Sequence, residues 1–317
     1  MCGRTSTTGI TGWCSTRPKR NLPPFCPPAE AEGKAIRFLS YGDRIACGDY
    51  RLHSRFSNAI NFVCGEHLLA LVDTSVGAGP LNVVLQDLGI PNGQRVFVGH
   101  DFIRIGETEF ALTEARRYNS AIAIPPESPP GLIASGFACF RAALQKAAPP
   151  RSLIFLVESG SGHAASWDFE TALAERFSDG LRLLRDGRYV EGVHKIKGLG
   201  WGLTPSGDDF ICGLLIALHL RQALFEENTS SIIEDIGREA AGANPFSTAF
   251  LRCAQEGRVF ERLQRVLTAI LRAAENEIAE SAQQLASFGE TSGSDLAAGL
   301  IFELEKCDSL HDLSEWT

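Results

Sequence analysis

Between Ile36 and about Leu112 the apolar residues come in short runs: Ile60-Asn61-Phe62-Val63, Leu68 to Val72, Leu81 to Leu85 and Val96-Phe97-Val98. Gly, Asn, Asp or Pro divides each from the next. Short apolar runs bounded by turn formers are the pattern of strands. Several at close spacing, with no long helical pattern among them, predict a small barrel or sandwich rather than βαβ units. Beyond Pro130 the period changes. Leu132, Phe137, Phe140 and Leu144 recur at helical spacing, as do Leu173, Phe177, Leu181 and Leu184. Further helices are predicted at about 206–226, 230–242, 246–256, 259–288 and 293–306, each starting after Ser, Thr, Asn or Gly. The fold class is therefore α+β, with a small β-rich barrel or sandwich domain over 34–125 followed by a mostly α-helical domain over 130–317. One exception inside the helical part is Ser152 to Glu158, a short apolar run that reads as a strand and leads into a Gly160-Ser-Gly162-His163-Ala-Ala165 match to G-x-G-x-x-A. A dinucleotide-binding unit needs a following strand, and none is predicted. The run reads better as a connector, or as a flexible loop in which His163 is a donor or base.

The first 33 residues are a different kind of sequence. Residues 1–29 carry Arg4, Arg17, Lys19 and Arg20 and no acid, with Pro23, Pro24, Pro27 and Pro28 opposing an amphipathic helix. They lack the 7–15 residue apolar stretch of a secretory signal. Disorder, or a start codon assigned too early, is the expectation for this leader. The whole chain, 44% hydrophobic and 21% charged, has the make-up of a folding globular protein. Its net charge of −8 gives no basic field for a phosphate backbone, so nucleic acid is not an expected partner. The longest nearly uninterrupted apolar run, Phe210 to Leu220, already contains His219 and falls short of the ~20 residues a bilayer-spanning helix needs, so no membrane insertion is expected. Nine cysteines form no C-x-x-C pair, and the odd number argues against a disulfide scaffold and for a reducing, cytoplasmic setting. Cys139, Cys212 and Cys253 sit among apolar neighbours and read as packing. Cys2, Cys14 and Cys26 lack nearby histidines to make a metal site.

Against this background one segment stands apart. Gly198-Leu-Gly200-Trp-Gly202-Leu-Thr204-Pro205-Ser206-Gly207-Asp208-Asp209 places four glycines, a proline and two adjacent carboxylates immediately before a strongly apolar helix. Pro205 biases Thr204 to an extended shape, and Ser206 is a natural N-cap. Asp208 and Asp209 then fall in the first turn, where the helix dipole favours negative charge. That placement explains one acid without any function. It does not explain alternating glycines, or two acids beside so apolar a run, where unpartnered charge is expensive. The pair is expected to have partners: a divalent cation such as Mg²⁺, an Arg or Lys, a substrate amide or backbone donors. Mg²⁺ on Asp208 and Asp209 would also let the helix start hold a phosphate that two bare carboxylates repel.

The segment has an echo. Ser206-Gly-Asp-Asp209-Phe-Ile-Cys-Gly213-Leu214 recurs as Ser292-Gly293-Ser-Asp295-Leu-Ala-Ala-Gly299-Leu300, both S-G-x-D-x-x-x-G-L. In each, Ser would cap, Asp would lie in the first turn as in a capping box, and Gly would sit one turn on, letting two helices approach closely. If the helix starts converge, Asp208, Asp209 and Asp295 with Thr204, Ser206, Gly207, Thr291, Ser292 and Gly293 line one polar pocket. A helix-packing repeat without chemistry is the competing account.

Gly202-Leu-Thr-Pro-Ser-Gly-Asp-Asp-Phe and the later Thr-Ser-Gly-x-Asp resemble the AllH-type family, whose named member is a subunit of oxamate carbamoyltransferase. The likeness takes in His53-Ser-Arg-Phe-Ser-Asn-Ala-Ile-Asn61, Val76-Gly-Ala-Gly-Pro-Leu-Asn82 and Ser247 to Gly257, and so runs from about Ile36 to Leu304. The resemblance implies transfer of a carbamoyl group between oxamate and carbamoyl phosphate during allantoin breakdown, with companion subunits and small carboxylate or phosphate ligands. Familiar carbamoyltransferases grip phosphate with a Ser-Thr-Arg-Thr loop, and no such string follows a strand here. Either the chemistry is organised differently or the chain is an accessory subunit. Within the β region His53, Arg55 and Asn82 are the candidate substrate-binding residues, Arg55 because a guanidinium grips phosphate or carboxylate bidentately. His53 reads equally as a surface or core histidine. Besides a carbamoyl-transfer enzyme subunit, the sequence admits a non-catalytic scaffold and a Mg²⁺-dependent phosphotransfer or hydrolytic enzyme.

Overall fold

The computed structural model describes residues 37–90, 95–125, 130–159 and 168–306. The leader, Cys2, Cys14, Cys26 and the Gly160 to Ala165 match with His163 lie outside the described residues. The β region holds β1 (Phe38–Gly42), β2 (Gly48–Arg55), β3 (Ala59–Cys64), β4 (His67–Val72), β5 (Asn82–Leu85), β6 (Val96–Val98), β7 (Phe102–Ile105), β8 (Thr108–Ala111) and β9 (Arg116–Tyr118). They form one sheet in the order β8-β7-β6-β2-β3-β4-β5-β1-β9, antiparallel except where β4 meets β5 and β1 meets β9. The sheet curls into a half-barrel: Phe38 of β1 and Phe110 of β8, far apart in that order, pack with ring centroids 5.8 Å apart. Inside the curl Tyr50, Ile60, Phe62, Leu69, Leu71, Val83 and Val96 make a closed apolar core. At the free end the pattern alternates cleanly, with Ile103 and Ile105 buried around an exposed Arg104. β3 and β4 instead read as continuous apolar runs because both their faces are covered. Val63 and Leu68, with nearby Leu81, turn away from that core and pack on helix residues Phe246, Ala249 and Cys253.

The helical part follows as α1 (Pro130–Ala147), α2 (Ile154–Ser159), α3 (Asp168–Arg185), α4 (Tyr189–Ile196), α5 (Ser206–Phe225), α6 (Ser230–Ala240), α7 (Pro245–Gln255), α8 (Glu261–Leu271), α9 (Glu275–Ala286) and α10 (Ser292–Leu304). The run Phe210 to Leu218 is uniformly apolar because α5 is buried on every side, the central helix of its layer. Among the described residues no helix is long and apolar enough to cross a membrane. Cys47, Cys64, Cys139, Cys212 and Cys253 are all free thiols, the last two buried. β region and helices together belong to one compact unit. Tyr118 Oη donates to Val259 O, and Ala78 exchanges two bonds with Glu261 at the start of α8.

Three expectations need correction. Ser152 to Glu158 is not a strand. Ser152 Oγ accepts from Ile154 N and starts the short helix α2, so the apolar residues are one turn of helix aimed at the core. The predicted helix 259–288 breaks into α8 and α9 at Ala273, whose φ is +51°. No glycine or proline announces the break, and it lets α9 fold back on α8 and bury both apolar faces. In α1 the buried line is Ile133, Phe137, Phe140 and Leu144, while Leu132 is exposed.

Candidate functional site

The two copies of the repeat are the starts of α5 and α10, and these helices cross in contact. A Cβ on Gly213 would stand 1.8 Å from Leu296 O, and one on Gly299 would stand 1.9 Å from Phe210 O. Each glycine lets the other helix's carbonyl in, so the crossing is reciprocal, as a local twofold requires. The other glycines of the repeat act alike. Gly207 lies against Ile196 O at the end of α4 and Gly293 against Leu285 O near the end of α9. Each arm is a helix, a tight turn and a second helix pressed on the first.

At this crossing neither Ser206 nor Ser292 caps its own helix. Both lie in the first turn, Pro205 and Thr291 occupy the N-cap positions, and no side-chain cap bond forms. The hydroxyls act on the carboxyl of the opposite helix instead, Ser292 lowering Asp209 and Ser206 lowering Asp295 against the effect of burial. Thr204 Oγ1 donates to Asp209 Oδ2 at 3.1 Å and lies 3.4 Å from Ser292 Oγ. Thr291 stands beside Asp295. Ser152 Oγ and Leu153 N both donate to Asp295 Oδ1, at 3.0 and 2.7 Å, which ties the start of α2 to the same point. Asp295 Oδ2 is buried and makes no hydrogen bond. Asp209 is 8% exposed and Asp295 0%. Thr204, Thr291 and Ser292 are half-buried and border the solvent.

Electrostatics follow from that burial. Burial pushes the Asp209 carboxyl well above the ordinary carboxylate range, and the charges of Asp295 and Asp208 push the same way, against the Ser292 and Thr204 hydroxyls. Burial also raises Asp295, opposed by its backbone and hydroxyl donors. A raised folded-state value means that the native protein keeps a proton which the unfolded chain releases. Stability therefore falls as pH rises from the ordinary carboxylate range toward the raised value, and levels off above it. Asp209→Asn is expected to flatten part of that fall. Unfolding midpoints between about pH 4 and 8 measure it, and an unchanged slope would mean that Asp209 titrates no differently folded than unfolded.

Residues 196–304 match the family model for oxamate carbamoyltransferase subunit AllH, and residues 31–117 match that of the AllH family N-terminal domain. The chain belongs to the AllH family. No curated protein and no solved structure matches it. The first of these matches runs from the end of α4 through α10 and so takes in both copies of the AllH repeat, and the second takes in the curled sheet up to the last residue of β9.

The remaining candidates of this AllH chain divide. Asp208, although adjacent to Asp209, points elsewhere: its Oδ1 accepts from Gly198 N at 2.7 Å and holds the α4–α5 turn closed. Among the described residues no three His, Cys, Asp or Glu side chains group as a metal site. His53 is the extra residue of a β-bulge, since Leu52 pairs with Phe62 and Ser54 with Asn61. The bulge aims its ring at Phe246 of α7, centroids 4.6 Å apart. Asn244 at the α7 cap links that contact to the glycine-rich segment: its Oδ1 accepts from Phe246 N and its Nδ2 donates to Leu203 O, both at 2.9 Å. His53 is therefore tied to the loop that carries Thr204. Arg55 is not. It pairs across the strands with Ile60 of the concave core and donates to Ile90 O, on the other face of the sheet. Asn82 donates to Gly77 O and shapes the turn that docks on α8.

Two contributors escaped the sequence reading. Ser152 was legible only as part of an apparent strand, although Pro149-Pro150 two residues earlier marks a turn that a serine cap follows naturally. Asn244-Pro245 is a plain cap-and-first-position signature, but nothing local says that the same amide reaches Leu203.

Proposed function

We propose that this chain is the AllH-type subunit of an enzyme that moves a carbamoyl group between carbamoyl phosphate and a small amide-bearing carboxylate such as oxamate, and that the crossing of α5 and α10 is its ligand site. The observation that carries this reading is the crossing of the starts of α5 and α10, where Thr204 lies between Asp209 and Ser292 and both Asp209 and Asp295 are buried, inside the stretch matching the family's named subunit. Carbamoyl transfer needs an anchor for an anionic end, donors that polarise a carbonyl, and exclusion of water. Two helix starts supply positive dipole ends, four hydroxyls supply adjustable donors, and the buried carboxyls supply groups able to exchange protons. The family's name as a subunit implies companion chains, and the free thiols suit a reducing, cytoplasmic setting.

A second reading has its own observation in its favour. The reciprocal approach of Gly213 and Gly299 is complete as a packing device, so the chain would be a scaffold for a partner that does the chemistry. Thermal unfolding separates the two. With carbamoyl phosphate and oxamate at about a hundredfold excess over Kd, binding stabilises the native state by about 2.7 kcal/mol. The expected result is a raised melting temperature for the wild type, alone or with companion subunits, and none for Asp209→Asn. A response that Asp209→Asn leaves intact favours the scaffold, and no response in any combination sinks the transfer reading.

A further inference from the structure

We infer that Arg151, held over the ring of Trp201, is the anchor for the carboxylate of the ligand at the crossing of α5 and α10. This inference rests on the crossing being the ligand site, and it deepens that reading by naming the group that takes the anionic end. The guanidinium carbon of Arg151 lies 4.8 Å from the centre of the Trp201 ring, and Trp201 is 50% exposed. A guanidinium over an aromatic face is attracted by the ring without giving up its N–H donors.

This contact closes a circuit around the crossing. Arg151 immediately precedes Ser152, whose Oγ donates to Asp295 Oδ1 at 3.0 Å and fixes the start of α2 on the first turn of α10. Three residues after Trp201, Thr204 Oγ1 donates to Asp209 Oδ2 and lies 3.4 Å from Ser292 Oγ, which returns to the same turn of α10. Asp295, Ser152, Arg151, Trp201, Thr204 and Ser292 thus follow one another round to the helix where the circuit began, and Arg151 is the cation in it.

The glycine-rich loop is shaped to present the indole. Gly200 and Gly202, on either side of Trp201, have φ of +104° and +101°, values that residues with a Cβ rarely adopt. A Cβ on Gly200 would meet Ser206 N at 2.9 Å, so the loop is pressed on the start of α5 while the ring between the two glycines is turned outward. Asn244 Nδ2 holds Leu203 O on the far side of Trp201. The alternating glycines therefore position the indole, and the indole positions the guanidinium.

Charge selects the class of ligand. Asp209 and Asp295 are buried at this crossing. A dianionic phosphate brought to them meets a repulsion that one guanidinium offsets only in part, whereas a monoanionic carboxylate is matched charge for charge. The planar fork takes such a carboxylate through two parallel N–H bonds. A small monocarboxylate of the oxamate type fits this anchor better than a phosphate does.

The test is calorimetric titration of the full-length chain, alone and with companion subunits, with oxamate and separately with inorganic phosphate, alongside tryptophan fluorescence. Oxamate is expected to bind more tightly than phosphate and to change the emission, with the change lost in Trp201→Phe. Arg151→Gln should bind oxamate about thirtyfold more weakly, the loss expected when one partner of a hydrogen-bonded charge pair is removed. Arg151→Lys should recover only part of it, because the ammonium keeps the charge and not the fork. Trp201→Phe, which keeps a face for the guanidinium, should bind more tightly than Trp201→Ala. Both side chains are exposed, so unfolding midpoints should stay at the wild-type value, which separates lost binding from lost folding. Equal oxamate affinity in Arg151→Gln and wild type overturns the inference, and so does the absence of oxamate binding in every combination. If an Arg151 variant fails to fold, a fluorescence response that persists in full in Trp201→Phe overturns it. Activity of the assembled subunits is the separate arm. Oxamate binding that depends on Arg151 without carbamoyl transfer keeps the anchor and removes the transfer reading, whereas transfer with an unchanged KM for oxamate in Arg151→Gln does the reverse. With both present, Arg151→Gln should raise that KM about thirtyfold and leave kcat nearly unchanged, because the group it grips does not react.

Discussion

Replacing Gly213 or Gly299 with alanine is expected to cost about 3 kcal/mol or more of stability, although alanine is the better helix former by about 1 kcal/mol. Overpacking wins because the added methyl has nowhere to go. At Gly213 it would meet a backbone carbonyl at 1.8 Å, and at Gly299 another at 1.9 Å, and neither is the end of a flexible side chain. To admit it, α5 and α10 must separate, which parts Phe210 from Phe302, now packed at 5.6 Å between ring centroids. Separation also draws Ser292 away from Thr204 on the other arm, so the ligand response should fall along with stability. Gly131, exposed in α1 and with open space around it, is the control: alanine there should leave the unfolding midpoint unchanged or raise it slightly. Urea unfolding of the three variants checks this. Equal midpoints would mean that the helices cross elsewhere.

The same crossing shows how far the sequence alone carries the argument. The repeat S-G-x-D-x-x-x-G-L was legible because glycine at fixed spacing in an apolar helix has few uses apart from close approach. From that spacing follow the convergence of two helix starts and the company of Thr204, Ser292 and Asp209. Local sequence could not give the direction of each side chain. Asp208 and Asp209 look like a pair on paper, but successive helical residues diverge by about 100°, and one turns to its own turn while the other turns to the neighbouring helix. Ser206 and Ser292 fit the preference for caps, yet Pro205 and Thr291 hold the cap positions and both serines fall within the first turn. Arg55 and Asn82 were grouped with His53 because the three lie in neighbouring polar segments. Strand parity and one bulge then sent them to different faces. The curled sheet was legible as β from its short apolar runs, whereas its closure into a half-barrel depends on contacts such as Phe38 with Phe110 that no local pattern announces.

At the far end of α5 and α10 lies a second buried polar cluster, and there the expected effect is on folding and not on ligands. Glu303 is fully buried near the end of α10, where Tyr189 Oη donates to its Oε1 at 2.7 Å and Arg221 of α5 donates to the same oxygen. Arg221 is also gripped by Glu227 just past its own helix, and Lys306 reaches Tyr189 Oη and Leu184 O. Burial lowers the Lys306 ammonium from its ordinary value, while Glu303 holds it up. Three helices and the chain after α10 thus meet on one carboxylate. Glu303→Ala is expected to cost about 3–5 kcal/mol, because it takes the one carboxylate from Lys306 and the Tyr189 phenol and leaves half-buried Arg221 with Glu227 alone. Sequence gave no warning: Glu303 sits within Leu300-Ile-Phe-Glu-Leu304, and its main partner is 82 residues away. A cycle with Arg221→Met separates the pair from its packing. Because the two side chains share one bond and one desolvation, the double variant should cost clearly less than the two single variants together. Additive costs would show that Glu303 is held by Tyr189 and Lys306 alone, and that Arg221 serves only to close the end of α5 on Glu227.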